Sequence, residues 1–386
     1  MASGSRAPGQ AATYYVSVTG SDSNPGTQSL PFRTIQRGVN ALSAGATLYI
    51  TSGTYAEALS SFPGGTSWSS PVTIAAYPGN QVILQPTSGE NVMSMASSTI
   101  AYVVINGLIL DGTNVVNTST DWGNGIYIGS GANHIKVTNT EIRNAPGQGI
   151  LTVGTSSGFN QFLNLKVHDN GQHYQLTHGL YLDSSNNTIS GCLVYNNAAW
   201  GIQIYGSDYR PSNNLVTKNT VYNNTRMGNG GGIVLSSGSA NVAYNNIIYG
   251  NSGGYAVEIS FGGGPSNTRV ENNTISNANG IDIGSDASGT LVQNNIVSGS
   301  NANISNHGTG STVSSNFVGN PLFVNVASAD FHLQATSPAI DAGITIAEVS
   351  TDFDGITRPQ GPAYDIGAYE YVSLKRPAPP QNVHVQ

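Results

Sequence analysis

The chain has 386 residues, of which only 9% are charged, with 48 glycines and a formal net charge of −7. A chain this long buries a large core, and so few charges exclude a charge-rich disordered polymer. With 13 Lys plus Arg and no basic run, nucleic acid is not an expected partner. The one cysteine, Cys192, excludes an internal disulfide framework, and its apolar surroundings place it in the core. The longest apolar run, Tyr102–Leu110, is too short to span a bilayer.

In chain order, residues 1–13 read as a flexible tail without an apolar signal core. Tyr14–Val18 reads as a short strand and Thr19–Leu30 as a polar loop. In Pro31–Ala44, Phe32, Ile35, Val39 and Leu42 fall at helical spacing. Pro31 suits the start of a helix and Gly45 its end. Such an amphipathic helix would cover the open apolar end of a solenoid's first coil. Less regular strands (ATLYIT, PVTIAAY, QVILQP, YVVING) fill residues 46–106.

One short phrase then recurs seven times: NGIYIG, QGILTV, HGLYLD, WGIQIY, GGIVLS, YAVEIS and NGIDIG, with a small residue at 125, 149, 179, 201, 232, 256 and 280. The steps are 24, 30, 22, 31, 24 and 24 residues. Self-similarity at this period marks a solenoid, and the alternating apolar residues mark strands buried on one face. Each phrase is followed by a turn and a further strand, with Asn at a shared turn position: Asn139, Asn164, Asn245, Asn272 and Asn294, interrupted by Gly191 and Lys218. Stacked coils would align these residues about 4.8 Å apart, where Asn tolerates left-handed backbone and can bond along the stack.

Two segments carry a resemblance. YYVSVTGSDSNPGTQSLPFRTIQRGVNALSAGATLYITSGTYAE (14–57) resembles the N-terminal cap of pectate-lyase-like right-handed parallel β-helix proteins. The words NPLF, FHL, SPAIDAG, DFDG, RP and DIGAYEY in 320–371 resemble the C-terminal segment of secreted bacterial β-helix proteins. The expected fold is therefore all-β: one right-handed parallel β-helix domain over 14–371. Its N-terminal cap takes 14–57, its coils 58–300, and its last coils with a C-terminal cap 301–371. The Asp and Glu residues of that final segment (Asp341, Asp352, Asp354, Asp365, Glu370) read as turn and cap hydrogen bonding. A Pro-rich linker at 372–386 is expected to lead to a further domain. The resemblance implies a secreted, monomeric protein acting on a polysaccharide, with Ca2+ as the cofactor it allows and no metal ligands assigned.

On a β-helix the site lies among outward residues of one sheet. Relative to the small residue, positions −1, +2 and +4 are expected to face out. The first column is then Asn124, Gln148, His178, Trp200, Gly231, Tyr255 and Asn279. The second is Tyr127, Leu151, Tyr181, Gln203, Val234, Glu258 and Asp282, and the third includes Asp183 and Tyr205. Polar and aromatic bulk peaks in the HGLYLD and WGIQIY copies. Three insertions flank the same copies, Asp169–Thr177, Gly206–Ser212 and Thr225–Gly230. They bring His173, Tyr174, Asp208, Tyr209, Arg210 and Arg226. Insertions on one face of a solenoid mark its binding face, and a floor of Tyr and Trp with scattered polar groups suits sugar rings.

Three chemistries fit these residues. The resemblance implies β-elimination on a uronic-acid glycan. There His178, Tyr181 or Lys218 would move protons, and Arg210 or Arg226 would neutralise the substrate carboxylate. A C5-epimerase would use the same set. The Asp-rich calcium cluster of that family has no clear counterpart, and Lys218 falls at the Asn turn rather than in the groove. Glycoside hydrolysis needs paired carboxyls, for which Glu258 with Asp282 or Asp183 with Asp208 are the candidates. A non-catalytic carbohydrate-binding or adhesin solenoid would show the same columns. The leading expectation is a lyase with His178, Tyr181, Arg210, Arg226 and Asp183 in catalytic roles. His173, Tyr174, Trp200, Gln203, Tyr205, Asp208, Tyr209 and Glu258 would bind substrate.

Overall fold

The computed structural model describes residues 11–116, 123–172, 176–206, 208–260 and 262–373. Short parallel strands stack into three long sheets: sheet A with twelve, sheet B with eleven and sheet C with nine. Successive turns of the chain add one strand to each sheet, and sheet C, which runs from Asn91–Ala96 through Ile304–Asn306, contains the seven copies of the phrase. The hairpin Phe323–Asn325 with Asp330–Leu333 is an antiparallel pair outside these sheets.

The alternation within each phrase sends Ile126 and Ile128, Leu180 and Leu182, Ile202 and Ile204, and Ile281 and Ile283 inward, all with 0% exposure. One continuous apolar column fills the solenoid from Val16 to Val297. Each such side chain contributes roughly 1.5–3 kcal/mol. The small residue of the phrase has a steric cause. A Cβ on Gly149 would lie 2.5 Å from the Gly179 carbonyl oxygen, and on Gly280 1.6 Å from that of Asn303.

The predicted helix over 31–44 is one turn, Ile35–Val39, capped by Thr34, whose side chain accepts from the Arg37 N–H. It starts late because the preceding residues are held extended. Phe32 N–H donates to the Tyr15 carbonyl, and Arg33 and Thr34 donate to the Asp22 carboxylate. The helical spacing still places Phe32, Ile35, Val39 and Leu42 in the core.

The expected Asn column does adopt left-handed backbone, at φ between 50° and 55° for Asn139, Asn164, Asn245, Asn272 and Asn294. The continuous hydrogen-bonded ladder is one residue further on. The Nδ2 of Asn219, Asn246, Asn273 and Asn295 donates in turn to the Oδ1 of Asn246, Asn273, Asn295 and Asn316. Two further ladders occupy the other corners, Asn160–Asn187–Asn214–Asn241 and Asn170–Asn197–Asn224–Asn251.

The outward Asn residues have another task. Asn245 donates to the Thr351 carbonyl, Asn272 to those of Asp365 and Gly367, and Asn294 to that of Ile344. The C-terminal segment expected to cap the end is therefore a lateral strap. Its own core joins Phe331, Leu333, Ile366 and Tyr369 to Ile247 and Ile296 on the outer face of sheet B. The inward positions of the last coil, Val313 and Val318, stay 38% and 51% exposed. Buried Arg358 ties the strap together through Glu370 Oε1 (2.7 Å), the Gly367 and Asp365 carbonyls and Asn245 Oδ1.

A surface clasp joins two strap segments. His332 bonds Asp330 at 2.6 Å and Asp354 at 2.9 Å, and stacks on Tyr369. Burial alone would lower the imidazole's pKa, but the bonds and charges of Asp354 and Asp330 outweigh it and hold the pKa above the usual value. The clasp's contribution is thus complete below the unfolded histidine value and is lost as pH rises through the raised one. Thermal unfolding followed across neutral pH should show the melting temperature falling as pH rises, and His332→Gln should flatten that slope. An identical slope in the variant would contradict the clasp.

Candidate active site

The second column is as expected. Parallel register aligns Tyr127, Leu151, Tyr181, Gln203, Val234, Glu258 and Asp282 on one outward line of sheet C. In the first column the first four residues are covered rather than outward, while Tyr255 and Asn279 further along are partly exposed. Asn124, Gln148, His178 and Trp200 are 1%, 2%, 1% and 7% exposed. The position is an odd number of places from the outward +2 residue, so the strand's own alternation puts it on the face of the inward +1 and +3 residues. These side chains form a relay between coils. Asn124 Oδ1 accepts the Gln148 N–H, Gln148 Oε1 that of His178, and His178 Nδ1 that of Trp200.

His178 is therefore neutral, with Nδ1 occupied as an acceptor and its pKa pushed down to about 3 by burial. It meets Tyr181 edge-on at 5.6 Å between ring centroids. It supports the groove from below and does not present a base to it. Trp200 likewise is a buried plate and not an open stacking platform. Its indole occupies the space that a Cβ on Gly231 would need, 2.3 Å from Cζ3, and it also passes Gly254.

Beyond this relay lies an acidic cluster. Asp183 ends the strand Leu180–Asp183, and the turn after the next strand brings the charge of Asp208 to bear on it, with Tyr205 near Tyr181. The Asp183 carboxyl lies so close over Gly206 that a Cβ there would be 1.7 Å from Oδ1. That oxygen is buried, and no donor among the described residues reaches it. Burial, reinforced by the charge of Asp208, pushes the Asp183 pKa up to about 7. Tyr181 beside it is half-buried and bonded to Gln203. Burial first, then Asp183 and Tyr205, raises its phenol further above the usual range. Asp208 and Tyr209 are exposed.

The acidic character continues along the column. Glu258 and Asp282 are directly opposite on neighbouring strands. Burial raises the Glu258 pKa against the hydrogen bond from Ser260, with Asp282 and Asp286 adding to the rise. Asp282 accepts from Ser305. Asp286, which the sequence reading missed because it lies beyond the phrase, accepts the backbone N–H groups of Gly262 and Gly264. Among the described residues, no three His, Cys, Asp or Glu side chains come together as a cation site.

The two arginines flank opposite edges of sheet C. Arg210, in the turn that leaves the sheet, donates to the Gly264 carbonyl at 2.9 Å. Arg226, in the turn that enters it, donates to the carbonyls of Asn196, Asn170 and Gly171. The expected pair for a substrate carboxylate is thus divided, and Arg226 is engaged in holding the entering turns. Lys218 lies in the turn between sheets A and B and reaches Thr351 of the strap. His173 and Tyr174 lie outside the described residues.

Three stacked parallel sheets with an acidic, tyrosine-lined groove on one of them define a parallel β-helix with a single elaborated face. A family model described as "Pel9A-like, right handed beta helix region" matches residues 14–176, and one described as "Right handed beta helix region" matches 157–318. The chain is thus similar to right-handed β-helix regions from residue 14 to residue 318 and has the right-handed parallel β-helix fold. Among solved structures, pectate lyase Pel9A superposes with a TM-score of 0.71 at 18% identity, over 93% of this chain and 96% of that one. XylC, solved with xylose, gives 0.61 at 12%, over 93% and 98%. The alginate lyase of Paenibacillus sp. str. FPU-7 gives 0.55 at 19%, over 71% and 96%. A stretch of 136 residues is 32% identical to protein YwoF of Bacillus subtilis (strain 168), covering 33% of this chain and 28% of that protein.

Proposed function

We propose that this chain is an extracellular carbohydrate-active enzyme that hydrolyses a neutral or weakly charged glycan in the groove of sheet C. One observation carries the reading: the Asp183 carboxyl is held protonated up to about pH 7 by burial and by the charge of a second carboxyl group, Asp208, with Tyr181 next to it. Hydrolysis requires a proton donor and an ionised partner on either side of a glycosidic bond. Asp183 would pass its proton to the glycosidic oxygen as the C–O bond breaks. Asp208 would assist the attack at the anomeric carbon, and the water supplies the OH and the proton that restore both groups. Tyr181 and Gln203 would orient the sugar, with Glu258 and Asp282 lining subsites further along. Likeness to XylC and to two polysaccharide lyases supports a carbohydrate substrate in general.

The β-elimination reading retains the support of the likeness to pectate lyase Pel9A. It is the weaker one because His178 is buried, the Tyr181 phenol is harder to ionise than usual, and the arginines stand apart. A predominantly acidic groove also disfavours a polyuronate. Incubation with a panel of neutral and acidic polysaccharides separates the two. Hydrolysis yields new reducing ends from a neutral glycan, without the ultraviolet absorbance of an unsaturated uronate. Appearance of that absorbance on an acidic glycan would replace this reading with the lyase.

A further inference from the structure

We infer that an exposed aromatic strip beside the groove is a second glycan-binding surface, which grips a long chain next to the acid pair; this rests on the carbohydrate reading above. The strip occupies one column of the turn between sheets C and A. Eight successive coils place a residue there with left-handed backbone: Tyr102, His134, Phe159, Asn186, Asn213, Ala240, Asn267 and Gly289, at φ between 51° and 62°. This conformation crowds Cβ against the carbonyl and favours Gly and Asn. Five coils comply with small residues, while three consecutive coils carry aromatic rings. Folding alone does not call for bulk at this position.

The rings make one surface. Tyr102 and His134 lie 4.5 Å apart between centroids, and His134 and Phe159 stack at 5.1 Å with planes 6° apart. Trp68 meets Tyr102 edge-on at 5.4 Å, and Lys136 sits 4.6 Å over its indole. The Trp68 loop is anchored by the Gly65 N–H on the Ala101 carbonyl. A buried cluster would not leave Phe159 53% and Trp68 36% exposed.

Continuity with the groove identifies the occupant. Phe159 N–H donates to the Ser185 carbonyl, and the Ser185 hydroxyl accepts from the N–H of Ser212, which closes the Asp208–Arg210 turn. Two coils, a rise of about 10 Å, therefore separate the strip from the turn that carries Asp208. An apolar band of ring edges and faces with one cation suits the CH faces and hydroxyls of a neutral pyranose chain. The same chain would then run on to Asp183.

The test uses the intact chain, with the glycan found to be cleaved, or with the neutral polysaccharides of the panel if none is cleaved. Retention in an affinity gel is compared for wild type, Trp68→Ala, Phe159→Asn and Asp183→Asn. Phe159→Asn installs the residue found elsewhere in the column, so its melting temperature should not fall even if Trp68→Ala folds poorly. The double variant Trp68→Ala/Phe159→Asn is expected to weaken retention about tenfold or more, on the scale of lost aromatic contacts, while cleavage of a short oligosaccharide is unchanged. Asp183→Asn should lose turnover and keep retention, which separates failure of the acid pair from failure of the strip. Unchanged retention in Phe159→Asn and in the double variant would overturn the strip, as would a wild type that no polysaccharide retards. Self-association lost in Trp68→Ala without any effect on retention would assign the patch to a protein contact and overturn it equally.

Discussion

Replacing Asp183 with asparagine lowers kcat/KM on the cleaved glycan by about 10^3-fold, the scale of a lost general acid, without lowering the melting temperature. The side chain keeps its shape over Gly206, but the proton it carried up to about pH 7 is gone. The sign of the pH dependence follows. Asp183 works while protonated, so wild-type kcat/KM declines on the alkaline side as pH rises through about 7. Because the charge of Asp208 is part of what raises this pKa, the residual activity of Asp208→Asn should decline from a lower pH than the wild type does. Steady-state kinetics across pH check both statements. An Asp183→Asn enzyme within tenfold of wild type would remove this residue from the chemistry.

Replacing Arg358 with alanine is the most damaging change expected outside the groove. It strands the fully buried Glu370 carboxylate, takes a donor from Asn245 Oδ1, and leaves the Asp365 and Gly367 carbonyls with only the Asn272 amide. Breaking one side of a buried ion pair costs about 3–5 kcal/mol. The damage should stay in the strap, because its apolar cluster is separate from the solenoid's interior. Limited proteolysis is expected to cut within 322–371 while the coils survive, and thermal unfolding should gain an early transition. Arg358→Lys should fail as well, since a single ammonium cannot span acceptors placed for a planar fork. Wild-type protease resistance in both variants would show that the strap is held by other means.

The strands of sheet C were legible because a period of two and a fixed small residue leave one register that turns the residues at +1 and +3 inward. From that register the line of Tyr181, Gln203, Glu258 and Asp282 follows. What misled was position −1. His178 and Trp200 are an odd number of places from the outward +2 residue, so strict alternation turns them inward, where the relay bonds the next coil's backbone. No residue type announces this, since a histidine next to a tyrosine reads equally well as a base. The ladder of Asn219, Asn246, Asn273 and Asn295 was hidden by the Asn beside it in three coils, because two adjacent Asn give no sign of which faces in. The words of the C-terminal segment specify a compact unit but not the surface it packs on. That surface is set by Ile247, Ile296 and the outward Asn amides, which look unremarkable in sequence. Asp183 and Asp208 were legible as candidates. The burial that separates Asp183 from an ordinary carboxylate depends on Gly206 in the following turn.

The most direct test of the hydrolytic account is cleavage in water enriched in heavy oxygen, with the products weighed by mass spectrometry. The account predicts one labelled oxygen at each new reducing end in the wild type, and no product above background from Asp183→Asn. An unsaturated product that carries no label would contradict it.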